Sequence, residues 1–340
     1  MRLMDIRTAI AELIAGRDLP EADMESVVLA TMAGEATAAQ VGAFLIALRM
    51  KGEQVGEIVG AARAMRRHAT RVEVAGDVLD TCGTGGDMRG TFNISTAAAL
   101  IAAAAGLTVA KHGNRAMSGA VGGADVLEAL GVRIDLDPAR AAACIDAVGV
   151  GFLFAQAFHP AMRHVAPVRR ELGVRTLFNL LGPLTNPAGA SRQLLGVFGR
   201  EWVEPMAHAL GRLGSRRALV VHGEDGLDEL SLTGPSWVAE LRDGAVRASR
   251  FTPADAGLAP CAIAELTGGD AAHNAGIIRA IVENRAAPAQ RDIALLNAGA
   301  ALYVAGAAER IAAGVELARA AVDTGAAART LDALIEFTRR

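Results

Sequence analysis

Val78-Leu79-Asp80-Thr81-Cys82 runs directly into Gly83-Thr84-Gly85-Gly86-Asp87, and Asn93-Ile94-Ser95-Thr96 follows a few residues later. The first five residues read as a short buried strand, and Thr96 to Gly106 as an alanine-rich helix. Glycines behind a strand let backbone amides approach a phosphate without side-chain obstruction. Ser95 and Thr96 stand at a helix start, where unpaired amides and the macrodipole favour an anion. A tight turn with an ordinary Ser/Thr cap is the alternative. The pairing of the two features, with an acid closing the glycine run, tilts the reading towards phosphate. The spacing is neither GxGxxG nor a Walker loop, which counts against nicotinamide and ATP.

Working outward, strands and helices alternate. Leu107 to Ala110, Gly151 to Ala155, Leu194 to Phe198 and Ala218 to His222 read as further strands. Ala124–Leu130 and Pro138–Val148 read as helices between them, and helices dominate again from about Ala272, including Asp292–Ala305 and Ala308–Val322. Such alternation implies an α/β fold: a mostly parallel central sheet flanked by helices, with ligands gathering at the carboxyl ends of the strands. Residues 1 to about 70 read as helices only. Thr37-Ala38-Ala39-Gln40 forms a capping box, behind which Val41, Phe44, Leu45 and Leu48 share one face. Glu53 to His68 repeats the pattern. These apolar stripes need a partner, either the rest of the chain or a second copy.

Three more segments carry chemistry. Lys111-His112-Gly113-Asn114-Arg115 lies just beyond a buried strand, where a lysine is a point charge for phosphate and Asn114 both donates and accepts. Asp225-Gly226-Leu227-Asp228-Glu229 follows the strand Ala218–His222, and consecutive carboxylates there suit magnesium, with water and substrate phosphate completing the octahedron. His159-Pro160 opens a basic stretch to Arg175, with Arg169 in its middle; an arginine binds a carboxylate at two points. Solvated turns and surface salt bridges are the plainer readings of the last two segments, taken singly.

Composition narrows the field. The 340 residues are 52% hydrophobic, enough for a sizeable core, and only 4% aromatic, so stacking platforms are scarce. A net charge of −3 argues against nucleic acid as partner. Cys82, Cys144 and Cys261 lie far apart without metal-ligand spacing, as expected in a reducing cytoplasm. The apolar tract Ala97–Leu107 is too short for a bilayer, so no membrane partner is expected.

Taken in order, these blocks resemble the anthranilate phosphoribosyltransferases of tryptophan biosynthesis. The resemblance includes Ala124-Asp125-Val126-Leu127-Glu128-Ala129-Leu130-Gly131, Val165 to Thr176, and Phe178-Asn179-Leu180-Leu181-Gly182-Pro183-Leu184-Thr185-Asn186-Pro187. It implies a homodimer, with a small helical domain (1–70, joined by about 166–187), a large α/β domain (71–340) and an active site between them. Phosphoribosyl pyrophosphate would be held by Gly83, Gly86, Asp87, Thr91, Asn93, Ile94, Ser95 and Thr96 on the first segment. Lys111, His112, Gly113, Asn114, Arg115, Ser118, Gly119 and Gly123 would complete that site. Anthranilate would be met by Gly83, Asn114, His159 and Arg169, and Mg2+ by Ser95, Asp228 and Glu229. No dedicated acid or base is implied. Pyrimidine nucleoside phosphorylases share the glycine run and lysine motif in looser form, so a related transferase or phosphorylase with another acceptor is the alternative. One stretch departs from the family: Ala116-Met117-Ser118-Gly119-Ala120-Val121-Gly122-Gly123 lacks the usual cation and several hydroxyls. Fewer pyrophosphate contacts and a more mobile loop are expected from it.

Overall fold

The structure, a computed structural model, describes residues 4–116 and 121–340. Four helices come first: α1 (Ile6–Ile14), α2 (Glu21–Met32), α3 (Ala38–Lys51) and α4 (Val55–His68). The expected capping box starts α3. Thr37 N–H donates to Gln40 Oε1 at 2.9 Å and Gln40 N–H to Thr37 Oγ1 at 3.3 Å, satisfying two otherwise orphaned amides.

The α/β part follows as β1 (Leu79–Gly83), α5 (Ile94–Ala104), β2 (Val109–Gly113), α6 (Gly123–Leu130), α7 (Pro138–Val148), β3 (Val150–Phe154) and the short α8 (Ala155–Phe158). Asp137 caps α7, Pro138 fills its first position, and Gly149 ends it in the left-handed region. Next come α9 (Ala166–Leu172), α10 (Phe178–Leu181), β4 (Arg192–Gly196), α11 (Val203–Arg212), β5 (Arg217–Gly223), β6 (Ser236–Arg242) and β7 (Ala245–Phe251). Helices α12 (Ala271–Val282), α13 (Pro288–Ala305), α14 (Ile311–Asp323) and α15 (Ala326–Arg339) close the chain.

Among the described residues the strands form one seven-stranded sheet, ordered β3-β2-β1-β4-β5-β6-β7. Strands β1 to β5 are parallel, as expected; β6 and β7 add an antiparallel hairpin that the sequence reading missed. Its turn, Arg242-Asp243-Gly244-Ala245, was a legible signal. Asp243 and Gly244 take φ of 52° and 77°, the double left-handed geometry that Asp-Gly favours in two-residue hairpins.

The sheet separates two cores by strict alternation. Leu194, Leu219 and Val221 face the core with α5 and α13, whereas Leu195 and Val220 join a second core containing the apolar stripes of α2, α3 and α4. The N-terminal helices therefore bury their stripes against this same chain. The segment Val165–Leu184 also contributes to the second core, through Val165, Val168, Leu177, Leu180 and Leu184. Arg66 of α4 ties the parts together by donating to the Leu184 carbonyl (2.7 Å) and the Leu213 carbonyl (3.0 Å).

Candidate active site

Strand β1 marks the reversal of strand order. The chain leaves β1 for β2 and β3 on one side, then returns to β4 and β5 on the other. At such a reversal an open α/β sheet takes its ligands in the crevice beyond the carboxyl ends of the strands, here those of β1 and β4. Gly83 and Gly196 are register partners at that point. Asp228, from the connection after β5, crosses directly over both glycines; a Cβ on either would overlap it. The bare backbone at these two positions is thus a steric condition for Asp228 being there at all. Its Oδ2 accepts the Gly85 N–H at 2.8 Å.

Lys111 reaches the same crevice from β2. Its buried ammonium donates to the Thr81 carbonyl at 2.5 Å and to Ser95 Oγ at 3.1 Å, leaving one of three N–H groups without a described partner. Burial lowers its pKa, and the carboxylates of Asp80, Glu229 and Asp228 oppose that shift. Thr96 Oγ1 is buried without a partner at the start of α5. Gly123 borders the cluster: a Cβ there would lie 3.7 Å from Thr96 Oγ1 and 3.9 Å from Lys111 Cε. Asn93 spans the entrance, its amide donating to the Val121 carbonyl (3.0 Å) and its oxygen accepting from Asn274 (3.1 Å). Thr91 pairs with Thr267 in an isolated bridge, while the Ile94 side chain goes into the core and leaves only backbone to face a ligand.

The carboxylates are crowded. Burial and then the neighbouring Asp87 push Asp228 up to about 7. Burial and then Asp228 push Glu229 well above the usual carboxylate range, although the Ser95 amide and Lys111 favour its charged form. Asp87 is raised by burial as well. Among the described residues no three His, Cys, Asp or Glu side chains form a metal-ligand group. The donors at hand are two hard carboxylates and the Ser95 hydroxyl, with more negative charge than Lys111 offsets. That set suits a divalent cation completing its shell with water and ligand phosphate, as magnesium does.

A further group of polar side chains comes from β2 and the segment after β3. His112 and His159 have ring centroids 5.1 Å apart. His112 Nδ1 lies 3.1 Å from the Gly182 carbonyl, and its Nε2 is buried without a partner. Neither nitrogen of buried His159 makes a well-formed hydrogen bond, its approach to the Thr185 backbone being loose. Burial drives His112 down to about 3, with His159 reinforcing the shift, and burial drives His159 down to about 4. Both imidazoles are therefore neutral near pH 7. Arg169 lies over the Phe178 ring at 5.5 Å, and burial alone lowers its pKa, with no carboxylate opposing it.

Other expected residues are placed differently. The Arg115 guanidinium is committed to Asp125 (2.9 Å) and Glu128 (2.9 Å from Nη2), so as a phosphate ligand it is turned away towards α6. Asn114 Oδ1 accepts from Arg115 N–H (2.8 Å) and Gln156 Nε2 (3.3 Å). Gly113 packs its backbone on Phe152, where a Cβ would come within 2.8 Å of the ring. Ser118 and Gly119, with the departing residue Ala120, lie outside the described residues. Asp80 and Gly196 were missed by sequence reasoning. Buried Asp80 accepts the His112 N–H (3.2 Å) and the Asn186 amide (2.8 Å), pinning the turn around Gly182 to β1 and β2. Burial pushes it up to about 6 against the pull of Lys111. A glycine inside the expected strand Leu194–Phe198 was the only hint of Gly196, where the structure ends β4.

The whole chain has close relatives. Residues 7–69 match the helical bundle domain, and residues 75–328 the a/b domain, of the glycosyl transferase family. The anthranilate phosphoribosyltransferase of Thioalkalivibrio sulfidiphilus is 56% identical over 336 residues, covering 98% of this chain and 99% of that protein. The crystal structure of the anthranilate phosphoribosyltransferase from Thermus thermophilus superposes with a TM-score of 0.93 at 48% identity, over 98% of this chain and 99% of that one. The Saccharomyces cerevisiae enzyme, solved with phosphoribosyl pyrophosphate and magnesium, matches with a TM-score of 0.89 at 26% identity, over 98% of each chain. Solved with 4-fluoroanthranilate, the same enzyme matches with a TM-score of 0.88 at 25% identity, again over 98% of each chain. The chain belongs to the anthranilate phosphoribosyltransferase family of glycosyl transferases.

Proposed function

We infer that this protein transfers the phosphoribosyl group of phosphoribosyl pyrophosphate to the amine of anthranilate, releasing pyrophosphate. One observation carries the reading: the glycine turn, the start of α5, Lys111 and the Asp228-Glu229 pair converge at the carboxyl ends of neighbouring strands.

The donor's diphosphate would lie against the amides of Gly83 to Asp87 and the start of α5, with the free N–H of Lys111 directed to it. Asp228, Glu229 and Ser95 would hold magnesium, which when bound supplies positive charge beside the diphosphate. Anthranilate would present its carboxylate to Arg169, with Asn114 and the neutral His112–His159 pair at its flank. The arylamine nitrogen would then bond to the anomeric carbon as the bond from that carbon to pyrophosphate breaks, and the ammonium so formed would give up one proton to water. Charge gathers on the departing oxygen, where fixed amides and the Lys111 ammonium need no reorganisation to receive it. A neutral arylamine needs no strong base to attack. The two domains would meet at this crevice.

Anthranilate fluorescence provides the test: its loss should require both the donor and magnesium, and phosphorolysis of a pyrimidine nucleoside in its place would point to the other enzyme class. Arg169→Ala is expected to raise KM for anthranilate about tenfold or more, with KM for the donor changed far less, since a charge-assisted pair is worth about 1.5–3 kcal/mol. Equal losses for both substrates would remove Arg169 from the acceptor site.

No helix among the described residues is long and apolar enough to cross a membrane. The three unpaired cysteines suit a cytoplasmic setting. Ile14 on α1 and Met50 on α3 are 75% and 83% exposed, and a homodimer through the bundle would cover them. A monomeric mass in sedimentation equilibrium would refute that pairing.

A further inference from the structure

Arg175 holds no role so far, yet it ties the segment after α9 to the glycine turn. It follows α9, six positions after Arg169. That helix packs on the bundle: Val168 shares a core with Phe44 of α3 and lies close to Gly42. From this side Arg175 Nη2 donates to the carbonyl of Gly86, in the glycine turn on the sheet side. Its guanidinium lies 4.4 Å from the centroid of Phe198, which follows β4. The Phe198 N–H donates to Thr84 Oγ1 at 2.9 Å, and its ring meets Trp202 edge-on at 6.4 Å. Arg175 thus clasps the glycine turn directly, and again through Phe198 and Thr84.

The turn needs such a clasp. Gly85 and Gly86 both have positive φ (68° and 78°), and glycines leave amide directions loosely determined. A peptide unit is planar and trans, so a Gly86 carbonyl held towards Arg175 points the Asp87 N–H the opposite way. Fixing one carbonyl therefore fixes an amide donor of the phosphate turn. Because the same segment carries Arg169, whatever seats the acceptor also steadies the turn that seats the donor.

We propose that Arg175 is a positioning residue that sets the amide directions of the donor turn and couples donor binding to acceptor binding. This rests on the function inferred above. In the native protein, magnesium pyrophosphate, which cannot react with anthranilate, should tighten anthranilate binding several-fold by fluorescence titration, within the roughly 5- to 150-fold range of ordinary coupling. In Arg175→Ala that coupling should vanish, and KM for the donor should rise about tenfold while kcat changes less than about threefold. Arg175→Lys, keeping the charge and one donor, should recover part of both and serves as the probe if the alanine variant does not fold. A merely structural arginine would lower the melting temperature and leave coupling and the KM-to-kcat split untouched, which would overturn the proposal. If the native protein consumes no anthranilate, the reading of the site fails. If it does, and both variants keep native coupling and donor KM, only the role of Arg175 fails.

Discussion

Glu229→Gln is expected to abolish magnesium-dependent turnover and, in the same protein, to raise the melting temperature measured without metal. The two effects share one cause. Glu229 is buried beside Asp228, and both carboxyls are raised, first by burial and then by a neighbouring carboxylate. A group whose folded pKa exceeds its unfolded value is a cost to the fold once pH passes that unfolded value. Near pH 7.5 the metal-free protein therefore carries the strain of this pair. Glutamine has the same shape and keeps an oxygen to accept the Ser95 amide, yet removes one charge. Relief of buried like charge should lift the metal-free melting temperature by roughly 2–4 °C. As the proposed magnesium ligand beside the leaving group, Glu229 would be lost by the same change, at a cost on the order of 10²-fold or more in rate. Pyrophosphate release and thermal melts, each with and without magnesium, measure both halves. Magnesium should stabilise the native protein and leave the variant unmoved. Native-like turnover in Glu229→Gln would remove this residue from the metal site.

The His112–His159 pair gives the second large effect. Folded values of about 3 and about 4 lie well below the 6.5 of a free imidazole. The sign follows directly: the unfolded chain takes up protons below about pH 6.5 that the folded protein refuses. The stability contributed by neutral burial is complete above that pH and is lost as pH falls from 6.5 towards 4. Each imidazole should contribute a slope of about 1 kcal/mol per pH unit in that window. Asp80 and Asp228 act oppositely, because their raised folded values let the fold take up protons first. The pair's share therefore appears in a difference. Urea unfolding of the native protein and His159→Gln, compared from pH 7.5 to 4.5, should show the native protein losing ground by about one imidazole's slope. Parallel pH curves for the two would mean that His159 titrates normally and is not buried as described.

What could be read from the chain alone was local in origin. The glycine turn, the start of α5, the Thr37–Gln40 capping box and the lysine within β2 each depend on neighbours within a few positions. Backbone freedom, amide satisfaction and apolar periodicity act at that range, so residue types at fixed spacing suffice to announce them. The β6–β7 hairpin was equally local, announced by the Asp243-Gly244 turn, and was overlooked rather than illegible.

Tertiary structure alone decided which of these pieces act together. Asp228 meets Gly85 across 143 positions of chain, and only because Gly83 and Gly196 leave room at adjacent strand ends. His112 finds His159, Arg175 finds Gly86, and Arg115 is drawn off to Asp125 and Glu128 by the way α6 folds back. Charge state follows the same rule: an Asp-Glu pair reads in sequence as a solvated turn, and the fold that removes its water raises both carboxyls. Dehydration and distance set electrostatic energy, and neither exists until the chain has closed on itself.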